Sequence, residues 1–451
     1  MSHHPISVSD LPVGGEKLET SRLSAVMTGL FSAGAVGLVI SVIFFFQNPE
    51  SFAFSWLFAF FFAFTLLVGS FFWVLLHNAS NSGWGVAIRR IPEVLANLFP
   101  FLMILGLPLI LPIGPLEAGQ NSIWEWIGIH RAVQIDLGGV GADAHRAALH
   151  DVNLLLWEKY PFLNLFWSSE PPFLPGWMPR YFIYFGLLTL GARVLLGYST
   201  HQDSTGEVQA TFSARRFSCG WLPVFAVCMT FGAIDWIMSM TYSWFSTMWG
   251  VYIFAGAAMS SMAVIILCVT SFKSLGYLKI VNEEHYHIMG KLMHAFVIFW
   301  AYITFSQYFL IWYANITEET QFYLIRNTGG WQYVSMLLLV VHFLIPIVVL
   351  LVRSVKKNVL KVSIVSGWLI GAHLLDLYWI IIPMRGRRMA AQGLIEDMAN
   401  PLTVPHAWIG DIVALVTVVS ILAYIFLRFI SRYSLYPCGD PRLEESIKLT
   451  N

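Results

Sequence analysis

Ten stretches of about twenty mostly apolar residues run through this chain, and that pattern leaves few folds open to it. They lie at approximately 24–46, 52–77, 92–113, 177–198, 217–240, 245–272, 288–313, 331–352, 361–383 and 406–430. About 20 apolar residues are needed for a helix to cross the hydrocarbon of a bilayer. Inside lipid the backbone must satisfy its own hydrogen bonds, which restricts spanning segments to helices or closed barrels. The expected fold is therefore an all-α integral membrane protein with about ten transmembrane helices. It comprises an N-terminal tail (1–23), a polytopic membrane domain (24–430) and a C-terminal tail (431–451). The third stretch is interrupted by Pro100 and Pro108, and the ninth carries polar residues, so these two are the weakest members.

Composition agrees with this class. Of 451 residues, 57% are hydrophobic and 12% charged, against about a quarter charged in an ordinary soluble protein. The 26 basic and 26 acidic residues balance, so no charge excess points to nucleic acid. The four cysteines, Cys219, Cys228, Cys268 and Cys438, form no CxxC or CxxCH. That spacing argues against a c-type haem or a cysteine-ligated iron–sulphur cluster in this chain. The polar segment Met1 to Arg22 lacks the apolar core of a signal peptide, so the first run is expected to stay as a span.

Lys and Arg in short loops predict the orientation. With the N-terminus in the cytoplasm, the inner side holds Arg89, Arg90, Arg215, Arg216, Lys273, Lys279, Arg353, Lys356, Lys357, Lys361, Arg428 and Arg432. The short outer loops hold only Arg326, Arg385, Arg387 and Arg388. Both termini are therefore expected in the cytoplasm, with an even number of spans. The cluster Arg385 to Arg388 dissents and is expected to meet an acidic partner or a lipid headgroup. One outer connection, roughly 114–176, is long enough to be functional or a docking surface. It carries Trp124, Trp126, His130, His145, His150 and Trp157, then Pro171, Pro172, Pro175 and Pro179. Its histidines lack metal-like spacing and are expected at a surface or interface; no metal site is assigned from sequence.

Ionisable groups inside spans are costly and carry a default functional hypothesis. Asp235 lies toward the outer end of span five. His373 and Asp376 lie in span nine, three residues apart and so on one helix face. At about 1.5 Å per residue they sit about 15 and 10 Å from the outer end near Pro383. An imidazole beside a carboxylate in low dielectric can pass a proton near neutral pH. Tyr302, Gln307 and Tyr308 of span seven lie in the same outer half, with Ser306 beside them. Together with Asp235 these groups are expected to line one outer-facing polar pocket. His294 and Asp411 are secondary candidates, and His342 is expected to pack. Each has a bland alternative: a His and an Asp on one helix can satisfy each other, and Tyr, Ser and Gln are often interhelical glue. A b-type haem needs two facing histidines. The expected depths of His294, His342 and His373 do not match well enough for one.

Several strings carry a family resemblance. They are GWGVAIRRIPEVL (Gly83 to Leu95), AIDWIMSM (Ala233 to Met240), WFSTMWGVYIFAG (Trp244 to Gly256), NEEHYHIMGKLMHAFVIFWAY (Asn282 to Tyr302), SQYFLIWYANITEE (Ser306 to Glu319), GAHLLDLYWIIIP (Gly371 to Pro383) and PRLEES (Pro441 to Ser446). Together they resemble the F subunit of bacterial alternative complex III, one of the polysulphide-reductase-like membrane subunits. The resemblance implies two four-helix bundles, spans two to five and six to nine, flanked by spans one and ten. It implies residence in the bacterial inner membrane, within a complex that oxidises quinol. The implied partners are a related ten-span subunit, an iron–sulphur protein and haem c proteins, which carry the redox centres. The chain itself is then expected to hold no covalently bound cofactor and to contribute quinone binding, proton conduction or both. It departs from the family pattern in a very short link at Gln47 to Ser51 and in the expanded loop 114–176. An independent ion or solute transporter and a purely structural anchor remain the alternatives from sequence.

Overall fold

The computed structural model describes residues 10–12, 14–110, 123–136, 142–166, 175–391 and 407–450. Pro171 and Pro172 lie outside the described residues, as do the side chains of His145 and Arg388. Among the described residues there are ten helices long and apolar enough to cross a membrane. They are Thr20–Gln47, Pro49–Ala79, Arg90–Ile110, Trp177–Thr205, Val208–Met240, Trp249–Ser274, Glu283–Ala314, Trp331–Leu351, Val359–Arg387 and Trp408–Ile430. The chain is an all-α, multi-pass membrane protein.

Helix packing follows burial. Span two is 83% buried along its most apolar stretch and span one only 17%, so the former is central and the latter peripheral. Spans two to five close into one ring of neighbours and spans six to nine into another. Spans two and six cross between the rings. At that crossing a Cβ on Gly69 would stand 2.1 Å from the carbonyl oxygen of Ala257. Only a residue without a side chain permits two backbones to approach this closely. Spans one and ten pack on each other and against span two. The outward side chains of span one, Phe31, Val36, Val39 and Phe46, are exposed and apolar, as lipid contact requires.

Two spans depart from regular helix. The third breaks at Asn97 and Leu98, just ahead of Pro100, whose ring disfavours a preceding helical turn. Asn97 Nδ2 donates to the carbonyl of Glu93 in its own span (2.8 Å) and to that of Ala192 in span four (3.1 Å), which ties the break to its neighbour. The eighth contains a π-helical segment, Leu339–Leu344, between α-helical turns. The ninth, weak by hydropathy, is one continuous helix through Pro383.

The described part of the long connection forms helices Glu125–Asp136, Ala142–Val152 and Leu154–Lys159. They lie against the end of the first bundle: Trp124 Nε1 donates to the Trp236 carbonyl at 3.2 Å and Asn153 Nδ2 to the Tyr242 hydroxyl at 2.8 Å. Of the two placements expected for these histidines, surface or interface, His130 does not take the first: it is buried and stacks on Tyr160; His150 is exposed.

At the opposite end both tails meet the short loops. Leu435 N donates to the Glu16 carbonyl at 2.8 Å. Arg89 bridges Glu93 and Asp440, each at 3.0 Å, and Arg90 reaches Asp203 at 2.5 Å. Ser446 Oγ donates to the Trp84 carbonyl at 2.9 Å and hydrogen-bonds His285 Nε2 at 3.2 Å. Three of the resemblance strings thus converge on one knot. Burial pushes the Asp440 carboxyl up, but the Arg442 hydrogen bond and the charges of Arg89 and Arg442 outweigh it and hold it below its ordinary value.

Candidate functional site

Two buried carboxylate clusters stand in the half of the molecule away from the tails, one in each bundle. The sequence reading expects them in a single pocket; the structure separates them. Asp235, on the last span of the first bundle, is neutralised. Arg180, at the start of span four, gives it two charge-assisted hydrogen bonds of 2.7 Å, and Tyr184 adds a third at 2.8 Å. Both carboxylate oxygens are engaged, as in a bidentate Arg–carboxylate pair. An apolar cavity of about 460 Å³ adjoins this pair, with Lys159, Phe231 and Phe245 in its wall.

Asp376, on the last span of the second bundle, has a different environment. Its Oδ1 accepts from the Tyr252 hydroxyl, and its Oδ2 accepts from Trp300 Nε1 at 3.1 Å. Among the described residues no cation pairs with it. It forms the inner wall of a cavity of about 670 Å³. Aromatic residues Trp300, Tyr323 and Trp379 line the depth of that cavity; Tyr302, Phe305 and Met336 line its rim. Tyr302 and Tyr308 are 64% and 40% exposed, so the rim faces lipid. Gln307 is buried and braces the cavity rather than lining it: it donates to the Tyr323 hydroxyl at 3.1 Å and accepts from Ser246 Oγ at 3.0 Å. Burial pushes the Tyr323 hydroxyl up to about 12, with the Gln307 hydrogen bond and the Arg326 charge acting the other way.

Behind Asp376 stand two histidines. His373 Nε2 lies 3.0 Å from Thr65 Oγ1 of span two. The Thr65 hydroxyl donates to the Phe62 carbonyl at 2.7 Å. Its single proton is thereby used, so Oγ1 accepts from His373 Nε2–H. The lone pair of the neutral ring is then on Nδ1, which has no hydrogen-bond partner among the described residues. Gly256 makes room beside it: a Cβ there would be 2.9 Å from Nδ1. His342 lies in the π-helical segment, its ring 3.7 Å from that of Trp300 and neither of its nitrogens hydrogen-bonded among the described residues. One ligand-type atom each of His342, His373 and Asp376 lies within 4.8 Å of the others.

The sequence-based depths set His342 and His373 at different levels, and the structure corrects this. His342 lies eleven residues from Trp331 and His373 ten from Pro383, so at about 1.5 Å per residue both stand at a similar depth. The cavity is lined by neither histidine. His294 stays apart, hydrogen-bonded to the backbone at Ile347. Asp411 is paired with Arg385 (2.7 and 3.0 Å) and accepts from Ser55 Oγ at 2.6 Å. Arg385 therefore finds its acidic partner within the chain, not outside it. Arg326, expected in an outer loop, is buried. Its guanidinium donates to the carbonyls of Phe322, Trp379 and Ile380 and lies 3.6 Å from the Phe322 ring centroid. Burial pushes it down to about 9, still protonated at neutral pH.

Sequence reasoning missed Tyr252, Trp300 and Thr65, which orient the two groups it did find. All three read as ordinary members of apolar helices, and only the packing of spans two, six, seven and nine brings them together. Neither a family model nor a curated protein matches the chain.

Proposed function

We propose that this chain is a membrane subunit of a quinol-oxidising complex like alternative complex III, without a redox centre of its own, and that it binds quinol and takes up its protons. One observation carries the reading: a buried carboxylate with no cation partner closes a lipid-facing aromatic cavity and backs onto a histidine with a free lone pair. A quinol enters from the bilayer, so its pocket must open to lipid and be apolar with few convergent polar groups. Its hydroxyls need a hydrogen-bonding base at the closed end, where a carboxylate in low dielectric serves. Asp376 accepts the proton, and His373 Nδ1 is the next acceptor inward. The electrons leave to clusters and haems in partner subunits, which supply the redox chemistry.

In this reading the membrane is the bacterial inner membrane and the knotted ends are cytoplasmic, as the Lys and Arg distribution predicts. The cavity then opens toward the outer half of the bilayer. Asp235 and Asp411 are structural ion pairs. The test is the assembled complex carrying Asp376→Asn or His373→Ala. Quinol oxidation should fall by about 10²–10⁴-fold with Asp376→Asn, and His373→Ala should lower the number of protons released per electron. Unchanged oxidation and proton stoichiometry in both would remove the assignment.

A further inference from the structure

We infer that His342, His373 and Asp376 form a binding site for one divalent transition cation of the Zn²⁺ class. The three side chains come from spans eight and nine, and their ligand-type atoms lie within 4.8 Å of one another. They are 0, 1 and 2% exposed. A buried polar atom without a partner costs about 1–3 kcal/mol. This cluster leaves three: both nitrogens of His342 and Nδ1 of His373. Lone pairs of neutral imidazoles beside a carboxylate are the donor set such a cation takes.

The surroundings are those of a metal site. Ligating histidines characteristically donate their second nitrogen to an acceptor, which fixes tautomer and orientation. Thr65 does this for His373, 3.0 Å from Nε2, because its own proton is committed to Phe62. Ligating carboxylates are held by further donors, and Asp376 is held by Tyr252 and by Trp300. Tetrahedral coordination at about 2.0–2.2 Å puts ligand atoms about 3.3–3.5 Å apart. The site closes to that spacing by rotation of the His342 ring, which has no hydrogen bond to break. The segment that carries it is π-helical, Leu339–Leu344, a local form found mostly at functional sites. Three protein ligands leave the fourth position open for water or hydroxide. One hydroxide with the Asp376 carboxylate balances the two positive charges in this apolar setting. The cavity wall at Asp376 is the way in.

A bound cation would take the His373 lone pair and pair with the Asp376 carboxylate, so the cation-loaded and proton-accepting forms of this cluster are mutually exclusive. The inference does not depend on quinol binding and is tested without turnover. The full chain, purified in detergent and stripped with a chelator, is loaded with Zn²⁺ and passed through a desalting column. The wild type should retain one Zn²⁺ per chain, and Co²⁺ should give the visible absorption of a tetrahedral site. His342→Leu removes a ligand that makes no hydrogen bond, so the variant should fold; retention and the Co²⁺ band should both be lost. Thr65→Val should weaken binding by about 10–100-fold. His201→Ala, at the exposed His201–Glu207 pair, should change nothing. Zinc that persists in a folded His342→Leu, that leaves with His201, or that gives no tetrahedral Co²⁺ spectrum in the wild type overturns the site.

Discussion

Asp235 and Asp376 occupy corresponding places in the two bundles, and replacing each should produce opposite outcomes. Asp235→Leu removes the partner of Arg180, which then keeps only the carbonyls of Pro175 and Phe162, both at 2.8 Å. An uncompensated charge left by breaking a buried pair costs about 3–5 kcal/mol. Replacing both partners by apolar residues is often neutral or better. Arg180→Met with Asp235→Leu should therefore return close to wild-type stability, less about 1 kcal/mol for the Tyr184 hydroxyl that loses its acceptor. Arg180→Met alone strands the Asp235 carboxylate at a similar cost of about 3–5 kcal/mol, so the coupling energy should reach about 5–9 kcal/mol, far outside the ~0.5 kcal/mol of independent sites. Asp376→Asn removes a charge that no cation balances, so its stability loss should not exceed about 1–3 kcal/mol, while turnover collapses. Unfolding in mixed micelles, followed by tryptophan fluorescence, gives the first quantity; quinol oxidation by the assembled complex gives the second. Additive effects at Arg180 and Asp235, or normal turnover in Asp376→Asn, would refute the division between structural and functional carboxylate.

Two further outcomes follow from single positions. Gly256→Ala places a methyl 2.8 Å from His373 Cε1, so the ring must leave Thr65; overpacking of this kind costs about 1–3 kcal/mol, and quinol oxidation should fall with the melting temperature. The tail knot should be acid-sensitive. Asp440 is held below its ordinary value, so its contribution is complete above about pH 4, the ordinary carboxylate range, and is lost as pH falls through the lowered value. Protease cleavage after Arg442 should accelerate only below that range, and in Asp440→Asn it should be fast at neutral pH.

The ten spans were legible because each is a local property: twenty apolar residues announce themselves without reference to anything else. The i, i+3 spacing of His373 and Asp376 was legible for the same reason. What surrounds them was not. Thr65 sits in a phenylalanine-rich run and would pass for a neutral filler. Tyr252 and Trp300 read as aromatic padding, and Arg180 as an anchor at a span's end. Their roles exist only across helices, and hydropathy along one helix does not say which helices face it. Arg385 of the basic cluster is a related case: charge counts locate loops but do not see that Asp411 lies within its reach. The family resemblance drew attention to GWGVAIRRIPEVL, NEEHYHIMGKLMHAFVIFWAY and PRLEES without explaining them; the knot of Arg89, Glu93, Asp440, Ser446 and His285 supplies the physical reason for at least part of each.

The placement of cations separates the two bundles. Each carries an aspartate on its last span, in the half away from the tails, and each has an arginine near that end. In the first bundle Arg180 is aimed at the carboxylate and saturates it. In the second, Arg326 is spent on three backbone carbonyls and the Phe322 ring, and Asp376 is left to two neutral donors. In the first bundle both carboxylate oxygens are taken up by the guanidinium. In the second the carboxylate is held by a phenol and an indole, with no side-chain cation paired to it among the described residues. The same fold element thus carries a cation-paired carboxylate in one bundle and, in the other, a carboxylate held by neutral donors, to which the proposed function gives the role of proton acceptor. Introducing the missing cation makes the argument testable: Asn327→Arg, at the wall of the larger cavity beside Tyr323, should clamp Asp376 in its charged form and abolish turnover while leaving the assembled complex intact. Normal turnover in that variant would mean that the ionisation of Asp376 is irrelevant to quinol oxidation.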